Sequence, residues 1–167
     1  RDTWQIRERE CIYYFFFFFL CRRPPRSPSF PHPPLFRSLA FPGAIGIDTD
    51  SKIDGLATIA AAVNSQGSKA LLQIYHGGRM SEPKLIGGQQ PVAPSALAAP
   101  REGAATPVAL TAEAVDAMIT KFGEGVRRAI EVGFDGVEIH GANTYLIQQF
   151  FSPNSNQRDD KWGGSRE

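Results

Sequence analysis

Three polar side chains follow one another closely near the C-terminus, in the segment VEIHGANTYLIQQFF: His140, Asn143 and Tyr145. The apolar residues before them are typical of a buried β-strand, so the three would lie on the turn after that strand ends. Histidine and asparagine both offer N–H donors that could converge on one carbonyl or nitro oxygen. A tyrosine phenol is protonated at neutral pH and able to give a proton. Together they could bind a substrate oxygen and supply a proton to the same molecule.

Other interpretations of these side chains remain open from the sequence alone. A histidine at such a place can be hydrogen-bonded within the core, and a tyrosine before an apolar run often serves packing. A metal site is the weakest alternative, because no second histidine or carboxylate stands at ligand spacing, and we predict no metal. Gln73, near the end of the apolar segment KALLQIYH (69–76), could contact a ligand or bond to the backbone.

The elements that would position these residues begin with two helices. Asp48, Thr49 and Asp50 are cap-type residues, apolar residues at helical spacing follow them, and Gly67 ends the pattern, which predicts a first helix. The segment 112–132 predicts a second helix, capped by Thr111 and ended by a glycine at 133. Its predicted apolar stripe consists of Val115, Met118, Ile119, Phe122, Val126, Ala129 and Ile130.

Two short, continuous apolar segments, 69–75 and 135–140, predict adjacent parallel strands buried on both faces and joined by a right-handed crossover. No GxGxxG follows the first strand, so the fingerprint of a dinucleotide-binding Rossmann fold is lacking. Polar residues instead stand at the C-terminal ends of both strands, where a (β/α)8 barrel carries its chemistry. The long segment 77–110 predicts a loop that is functional or mobile.

Residues 1–40 differ from the remainder, and we predict a disordered or non-homologous segment there and a barrel segment over 41–167. The apolar run that holds Phe15–Phe19 is shorter than the roughly 20 residues of a membrane-spanning helix, so membrane association is not favoured. The abundance of Phe, Pro, Ser and Leu suggests a translated pyrimidine tract ahead of an exon start near Phe41. With a first residue, Arg1, that is not methionine, these features predict a fragment or a mispredicted chain.

The composition narrows the classes of partner. A chain of 167 residues with a formal net charge of +1 lacks the basic excess of a nucleic-acid-binding protein. Two cysteines, Cys11 and Cys21, make neither a disulfide framework nor a zinc spacing, which favours a reducing compartment and a cytoplasmic location. We therefore expect a small-molecule substrate as partner; the oligomeric state is left open.

The motifs LLQIYHGGRMS, VAPSA and GFDGVEIHGANTYLIQQFFSPNSNQRDDKWGGSRE together resemble the old yellow enzyme family of FMN-dependent NAD(P)H:flavin oxidoreductases, from about Phe41 to Glu167. The resemblance implies an α/β fold, a (β/α)8 barrel with FMN at its C-terminal mouth. It aligns 69–76 with strand three and 135–141 with strand four. Because a whole barrel takes about 250 residues, this chain would be a partial barrel.

The same resemblance implies roles for the four candidates. Gln73 would contact FMN, and His140 and Asn143 would bind the substrate oxygen. Tyr145 would protonate the substrate α-carbon after a hydride has reached the β-carbon. The segment SPNSNQRDDKWGGS would be a structural loop in which Arg158 and Asp160 pair.

Two functional hypotheses follow. In the first, the intact parent protein is an FMN enzyme that takes a hydride from NADH or NADPH and reduces activated C=C bonds of the enone type. In the second, the chain is a truncated, inactive barrel remnant or a mispredicted product, with membrane attachment through its Phe run as a variant.

Overall fold

The structure, a computed structural model, describes Ala40 and residues 42–164. The three α-helices of this part are α1 (Ile53–Asn64), α2 (Ala112–Glu131) and α3 (Leu146–Phe151). Its strands are β1 (Leu71–Ile74), β2 (Val92–Ala93), β3 (Val108–Ala109) and β4 (Gly136–Ile139). Short 3-10 turns cover Asp50–Lys52, Gly78–Met80 and Pro83–Leu85. The element order along the chain is α/β throughout.

Strands β1 and β4 pair in parallel, as predicted for the segments 69–75 and 135–140, although each strand is shorter than its segment. Leu71 lies opposite Gly136, and Gln73 lies opposite Glu138. The amide of His140 donates to the carbonyl of Ile74 at 2.9 Å, which extends the ladder past the end of both strands. The carboxyl ends of the two strands therefore meet at one edge of the sheet. The hand of the crossover stays a prediction.

One face of this sheet packs on the helices. A core cluster joins the helices to residues that flank both strands: Leu56, Ala60, Ala70, Ala129, Val132 and Phe134. Leu72 and Val137 pack against this cluster from the sheet. Helix α2 approaches the sheet closely at Gly125, where an added Cβ would stand 3.5 Å from Ile74. The strands thus turn alternate side chains toward α1 and α2.

The opposite face of the β1–β4 sheet is open, and the prediction of strands buried on both faces is wrong for the described residues. Leu71, on this face, is 46% exposed. The physical reason is that each strand has one neighbouring strand in this part of the chain, and the helices cover a single face. Gln73 and Glu138 are also exposed on the open face.

Helix α1 begins differently from the prediction. The cap-type residues do not cap it with a side chain; a 3-10 turn over Asp50–Lys52 leads into the helix instead. The Asp50 carboxylate pairs with Arg128 at 2.6 Å and with Arg127 at 3.0 Å, and so ties this turn to α2. The side-chain hydrogen bond from Arg128 lowers the pKa of Asp50. Gly67 ends the turn after the helix at a φ of +75°, as its type predicts.

The bounds of α2 confirm the predicted helix over 112–132, except that the helix ends one residue earlier. The predicted apolar stripe, however, is wrong at two residues, which do not face the core: Ile119 is 54% exposed and Ile130 is 56% exposed. Gly125 and Arg128 are buried instead, because Gly125 faces Ile74 of the sheet and Arg128 pairs with Asp50.

The segment 77–110, predicted as a functional or mobile loop, contains two of the 3-10 turns and a short parallel pair, β2 with β3. A second core cluster packs under this segment: Val92, Leu110, Val115, Met118 and Leu146. The segment is therefore anchored on α2 and α3.

The predictions for residues 1–39 and Phe41 lie outside the described residues, and Ala40 is half-buried. Within Ala40 and residues 42–164, none of the helices has the length and apolar character needed to cross a bilayer.

The N-cap of α2 gives a first prediction. The Thr111 hydroxyl oxygen accepts a hydrogen bond from the Ala114 amide at 3.1 Å, which satisfies one of the free donors of the first turn. Thr111→Ala is expected to lower the free energy of unfolding by about 1 kcal/mol in urea titrations. Thr120→Ala makes the same chemical change inside α2 and should be neutral or stabilising, since alanine is the better helix former. Equal losses in both variants would contradict the assignment of the cap.

The entry to β4 gives a second prediction, in pH. The Asp135 carboxylate accepts from Lys69 Nζ at 2.7 Å and from the Ala70 amide at 3.0 Å. The Lys69 hydrogen bond, with that of Ala70, lowers the pKa of Asp135. A carboxylate whose pKa is lower in the folded state stabilises the fold above its unfolded-state pKa. This stabilisation is lost as the pH falls through the folded-state pKa.

Asp135→Asn should therefore flatten the decline in the free energy of unfolding below about pH 4. The measurement is urea unfolding at neutral pH and at several acidic values. Asp54→Asn is the control, because Asp54 has no ion pair among the described residues and should change the slope less. An unaltered acid slope in Asp135→Asn would refute the linkage.

Candidate active site

The predicted residues His140, Asn143 and Tyr145 lie together beyond the carboxyl end of β4. The ring of Tyr145 stands edge-on to the imidazole of His140, with centroids 5.0 Å apart and an interplanar angle of 78°. Tyr75, which follows β1, completes an aromatic group with centroid distances of 5.0 Å to Tyr145 and 6.4 Å to His140. The parallel pairing brings these rings together, because it sets the ends of β1 and β4 side by side.

Hydrogen bonds orient the imidazole of His140. Its Nδ1 accepts from the amide of Ala142 at 3.1 Å, so in the neutral ring the proton resides on Nε2. Nε2 lies 3.4 Å from Nδ2 of Asn143. Both nitrogens then carry hydrogens and neither can accept from the other. The two N–H groups are adjacent donors that can share one acceptor atom of a ligand.

The backbone that carries Asn143 is strained. Asn143 has a φ of +53° and Thr144 a φ of +61°, both in the left-handed region. Asparagine tolerates this region, whereas a β-branched threonine there is uncommon. Each such residue costs on the order of 1–3 kcal/mol, and this kind of strain clusters at functional sites where neighbouring structure maintains it. Gln148 contributes to that restraint, because its side-chain oxygen accepts from the Thr144 amide.

Gln73, the predicted cofactor contact, lies on the open face of the sheet. Its Nε2 donates to Glu138 at 3.1 Å across the strand pair. This bond orients the amide and leaves Oε1 as an acceptor for another group. Strand alternation places Gln73 and Tyr75 on the same face of the sheet, and it places Glu138 and His140 on the same face as each other. The structure therefore joins Gln73 to Glu138 and does not show a contact between Gln73 and the other three candidates.

His76 and Arg79 are buried and hold the turn after β1. His76 Nδ1 accepts from the Gly78 amide at 3.1 Å, and the His76 carbonyl accepts from the Leu146 amide at 2.9 Å. The Arg79 guanidinium donates to backbone carbonyls, including that of Ala98 at 3.2 Å. These contacts fix the turn beside α3.

The segment 152–164 is the predicted structural loop, and its ion pair is present. Arg158 Nε donates to Asp160 at 2.8 Å, and the guanidinium also donates to the carbonyls of Pro94, at 2.9 Å, and Leu110. The hydrogen bond from Arg158 lowers the pKa of Asp160. At Gly163 an added Cβ would collide with the Arg158 carbonyl at 2.0 Å, so this turn requires glycine. The loop thereby binds the segment 77–110 to the end of the chain.

Sequence reasoning missed Tyr75 and Gln149. Tyr75 follows Gln73 by two residues, so strand alternation already placed it on the same face. Burial raises the pKa of Tyr75, a hydrogen bond with the backbone of Ala40 opposes this shift, and Tyr145 adds to it. Gln149 was hidden in an apolar run, and its burial at 1% exposed could not be derived from that pattern.

Comparison with known proteins shows the family of the chain. Residues 34–167 match the model of the NADH:flavin oxidoreductase / NADH oxidase family. The chain belongs to this family. The family comprises FMN-dependent NAD(P)H oxidoreductases and includes the old yellow enzymes, so the resemblance seen in the motifs is confirmed.

Two curated members show how much of a relative the chain covers. It is 78% identical over 129 residues to an NADH:fumarate oxidoreductase of Klebsiella pneumoniae (strain 342), which is 77% of this chain and 14% of that protein. It is 53% identical over 128 residues to a probable NADH-dependent flavin oxidoreductase of Bacillus subtilis (strain 168), which is 77% of this chain and 34% of that protein. The chain thus spans well under half the length of either relative.

Solved structures of family members agree with the fold. The old yellow enzyme homologue from Zymomonas mobilis superposes with a TM-score of 0.70 at 34% identity, over 77% of this chain and 38% of that one. Morphinone reductase gives a TM-score of 0.67 at 36% identity, over 72% of this chain and 36% of that one. The α/β fold is therefore that of part of an old yellow enzyme barrel; the assignment of β1 and β4 to strands three and four stays a prediction.

The cofactor of the family is FMN, and its reductant is a nicotinamide, as in the complex of morphinone reductase with tetrahydroNAD. Of the described side chains, Gln73 suits such a group, because its Nε2 is bonded to Glu138 and its Oε1 remains an acceptor near the carboxyl end of β1.

Proposed function

We propose that residues 41–167 form the substrate-binding part of an FMN-dependent NAD(P)H oxidoreductase that reduces an activated C=C bond, with an enone as the model substrate. The observation that carries the proposal is the 3.4 Å approach of His140 Nε2 and Asn143 Nδ2, two nitrogens that both bear hydrogens. Two donors aimed at one carbonyl oxygen stabilise the negative charge that develops there when a hydride adds to the β-carbon. When bound, FMN supplies that hydride.

In this proposal Tyr145 gives the second hydrogen. The Tyr145 ring lies 5.0 Å from the imidazole of His140, so its hydroxyl can stand near a substrate whose oxygen is held by the donor pair. The Tyr145 O–H bond breaks, its proton forms the new C–H bond at the α-carbon, and the phenolate regains a proton from solvent. The product is the saturated carbonyl compound.

Gln73 is proposed as the residue that holds the cofactor. Its Nε2 donates to Glu138, so its Oε1 faces the ligand as an acceptor and suits an N–H on the pyrimidine edge of the flavin. The proposed partner of the site is a small molecule. No group of three or more His, Cys, Asp or Glu within Ala40 and 42–164 could hold a metal ion.

A second candidate is favoured by the lengths of the relatives. The most identical relatives named here, the fumarate oxidoreductase and an NADH:acrylate oxidoreductase of Vibrio harveyi at 63% identity, are matched over 14% and 13% of their lengths. The reactions in their names can therefore reside outside the matched part. In this alternative the site oxidises NADH but does not reduce a C=C bond. The donor pair binds the carboxamide oxygen of the nicotinamide, and the electrons taken from NADH pass to an acceptor other than an enone.

The role of Tyr145 separates the two candidates in an experiment on the FMN-loaded protein expressed from its full coding sequence. Tyr145→Phe removes the proton donor and retains the ring. Reduction of an enone by the reduced protein should slow by about 10²–10⁴-fold, as for the loss of a general acid, while flavin reduction by NADH stays unchanged. Stopped-flow absorbance measures the two half-reactions separately.

Two further variants serve as controls for that result. Tyr75→Phe removes a neighbouring hydroxyl and should slow enone reduction far less, whereas His140→Ala should impair phenol and enone binding and can impair both half-reactions. If Tyr145→Phe slows both half-reactions equally, the proton-donor role is wrong. If the unaltered protein reduces no enone but is reduced rapidly by NADH, the second candidate holds.

The 167-residue chain on its own tests a separate expectation, that it neither binds FMN tightly nor turns over. Gln73 is the one cofactor contact we propose within it. Fluorescence titration with FMN should show weak binding, and the purified chain should be colourless. Stoichiometric FMN in the purified chain would overturn this expectation and the inactive-remnant hypothesis with it.

A further inference from the structure

Gln149 makes the most extensive set of side-chain hydrogen bonds around the turn that carries the donor pair. Its side chain is fully buried, at 1% exposure, on α3. Nε2 donates to the Thr144 carbonyl at 2.6 Å and to the Gly77 carbonyl at 3.2 Å, and Oε1 accepts from the Arg79 amide at 3.1 Å. One amide group thus joins the turn after β4 to the turn after β1.

The turn after β1 is shaped around this amide. Gly78 has a φ of +58°, and a Cβ added there would stand 2.2 Å from Gln149 Oε1. This backbone conformation favours glycine at position 78, and the absence of a side chain lets the Gln149 amide lie directly against the backbone.

The bond to Thr144 reaches the strained pair directly. Asn143 and Thr144 are both in the left-handed region, and a threonine leaves it readily unless its carbonyl and amide are held. Gln149 holds the carbonyl and Gln148 the amide. If the pair relaxed, the Asn143 side chain would leave its place beside His140, and Tyr145, the next residue along the chain, would shift with it.

We propose that Gln149 is a positioning residue that keeps Asn143 and Thr144 left-handed and thereby keeps the two donors and the Tyr145 phenol aligned. The inference rests on the proposed function of His140, Asn143 and Tyr145 as a binding site for a substrate oxygen. Gln149 does not touch the substrate; it acts through the Thr144 carbonyl.

The test uses the FMN-loaded protein and phenol as a non-reacting ligand for the donor pair. Gln149→Met keeps the length of the side chain and removes its hydrogen bonds. Phenol affinity, measured by calorimetry, should fall by about 10- to 100-fold, because the phenol oxygen loses one or both hydrogen bonds from the donor pair. The FMN affinity should be unchanged, since Gln149 contacts the backbone of residues 77, 79 and 144 and not Gln73.

Ser155→Ala is the matched control. Ser155 is 2% exposed, and its hydroxyl donates to the Gln149 backbone carbonyl at 2.8 Å, so the variant removes a buried polar bond from the same segment. It leaves the bonds of the Gln149 side chain in place and should retain phenol affinity. An equal loss of affinity in Ser155→Ala would show that general loosening of this segment, and not the Gln149 amide, causes the effect.

A rescue experiment separates positioning from general stability. Thr144→Gly introduces the residue that adopts positive φ without strain. In the Gln149→Met background it should recover about tenfold in phenol affinity, because the relief of a left-handed threonine is of that order. A purely structural role for Gln149 predicts no recovery, since a glycine does not restore a buried hydrogen bond. Absence of recovery would therefore overturn the proposal.

Hydrogen exchange gives a readout that does not depend on flavin or on turnover. Gln149→Met should raise exchange in the peptide 140–148 more than in α2. Uniformly faster exchange, or failure of both Gln149→Met and the acceptor-retaining Gln149→Glu to fold, would assign Gln149 a general structural role and overturn the proposal. If Gln149→Met loses phenol affinity as expected but the unaltered protein reduces no enone, the positioning role of Gln149 holds and the proposed reaction is wrong.

Discussion

The parallel pairing of β1 with β4 is the constraint on which the site depends. Because both strands run in the same direction, their carboxyl ends meet, and the residues just beyond those ends fall beside one another. Tyr75 and His140 come into contact for that reason, although they are far apart in the chain. The helices contribute by covering the other face, where Leu72 and Val137 pack against the core cluster and Gly125 of α2 faces Ile74.

The site combines strain with local restraint. A left-handed Asn143–Thr144 pair lifts the Asn143 amide toward His140, and the buried amide of Gln149 with the side chain of Gln148 opposes relaxation of that pair. Unfavourable backbone torsions persist only where neighbouring contacts over-determine them. The Gln149 amide also bonds to the turn after β1. It therefore couples the position of that turn to the position of the turn after β4.

The sequence was informative wherever a local pattern decides the structure. Helical periodicity and glycine stops located α1 and α2, and short apolar segments located β1 and β4. It failed where tertiary contacts decide. Ile119 and Ile130 fit the helical stripe but are exposed, because Gly125 and Arg128 occupy the buried positions for reasons of close packing and pairing. Gln149 sat unnoticed in an apolar run, since no local rule predicts that a buried amide will bond to two distant turns.

The turns at the carboxyl ends of β1 and β4 differ from the open sheet face in how well neighbouring residues restrain them. The carboxyl-end turns are stabilised by local contacts and by the Arg158 loop, so the donor pair and the phenol can be arranged without a ligand. The open face of the sheet is different, because Leu71, Gln73 and Glu138 are exposed there. In the proposed function, recognition of the substrate oxygen depends on these residues, whereas tight binding of the flavin requires more contacts than Gln73 provides.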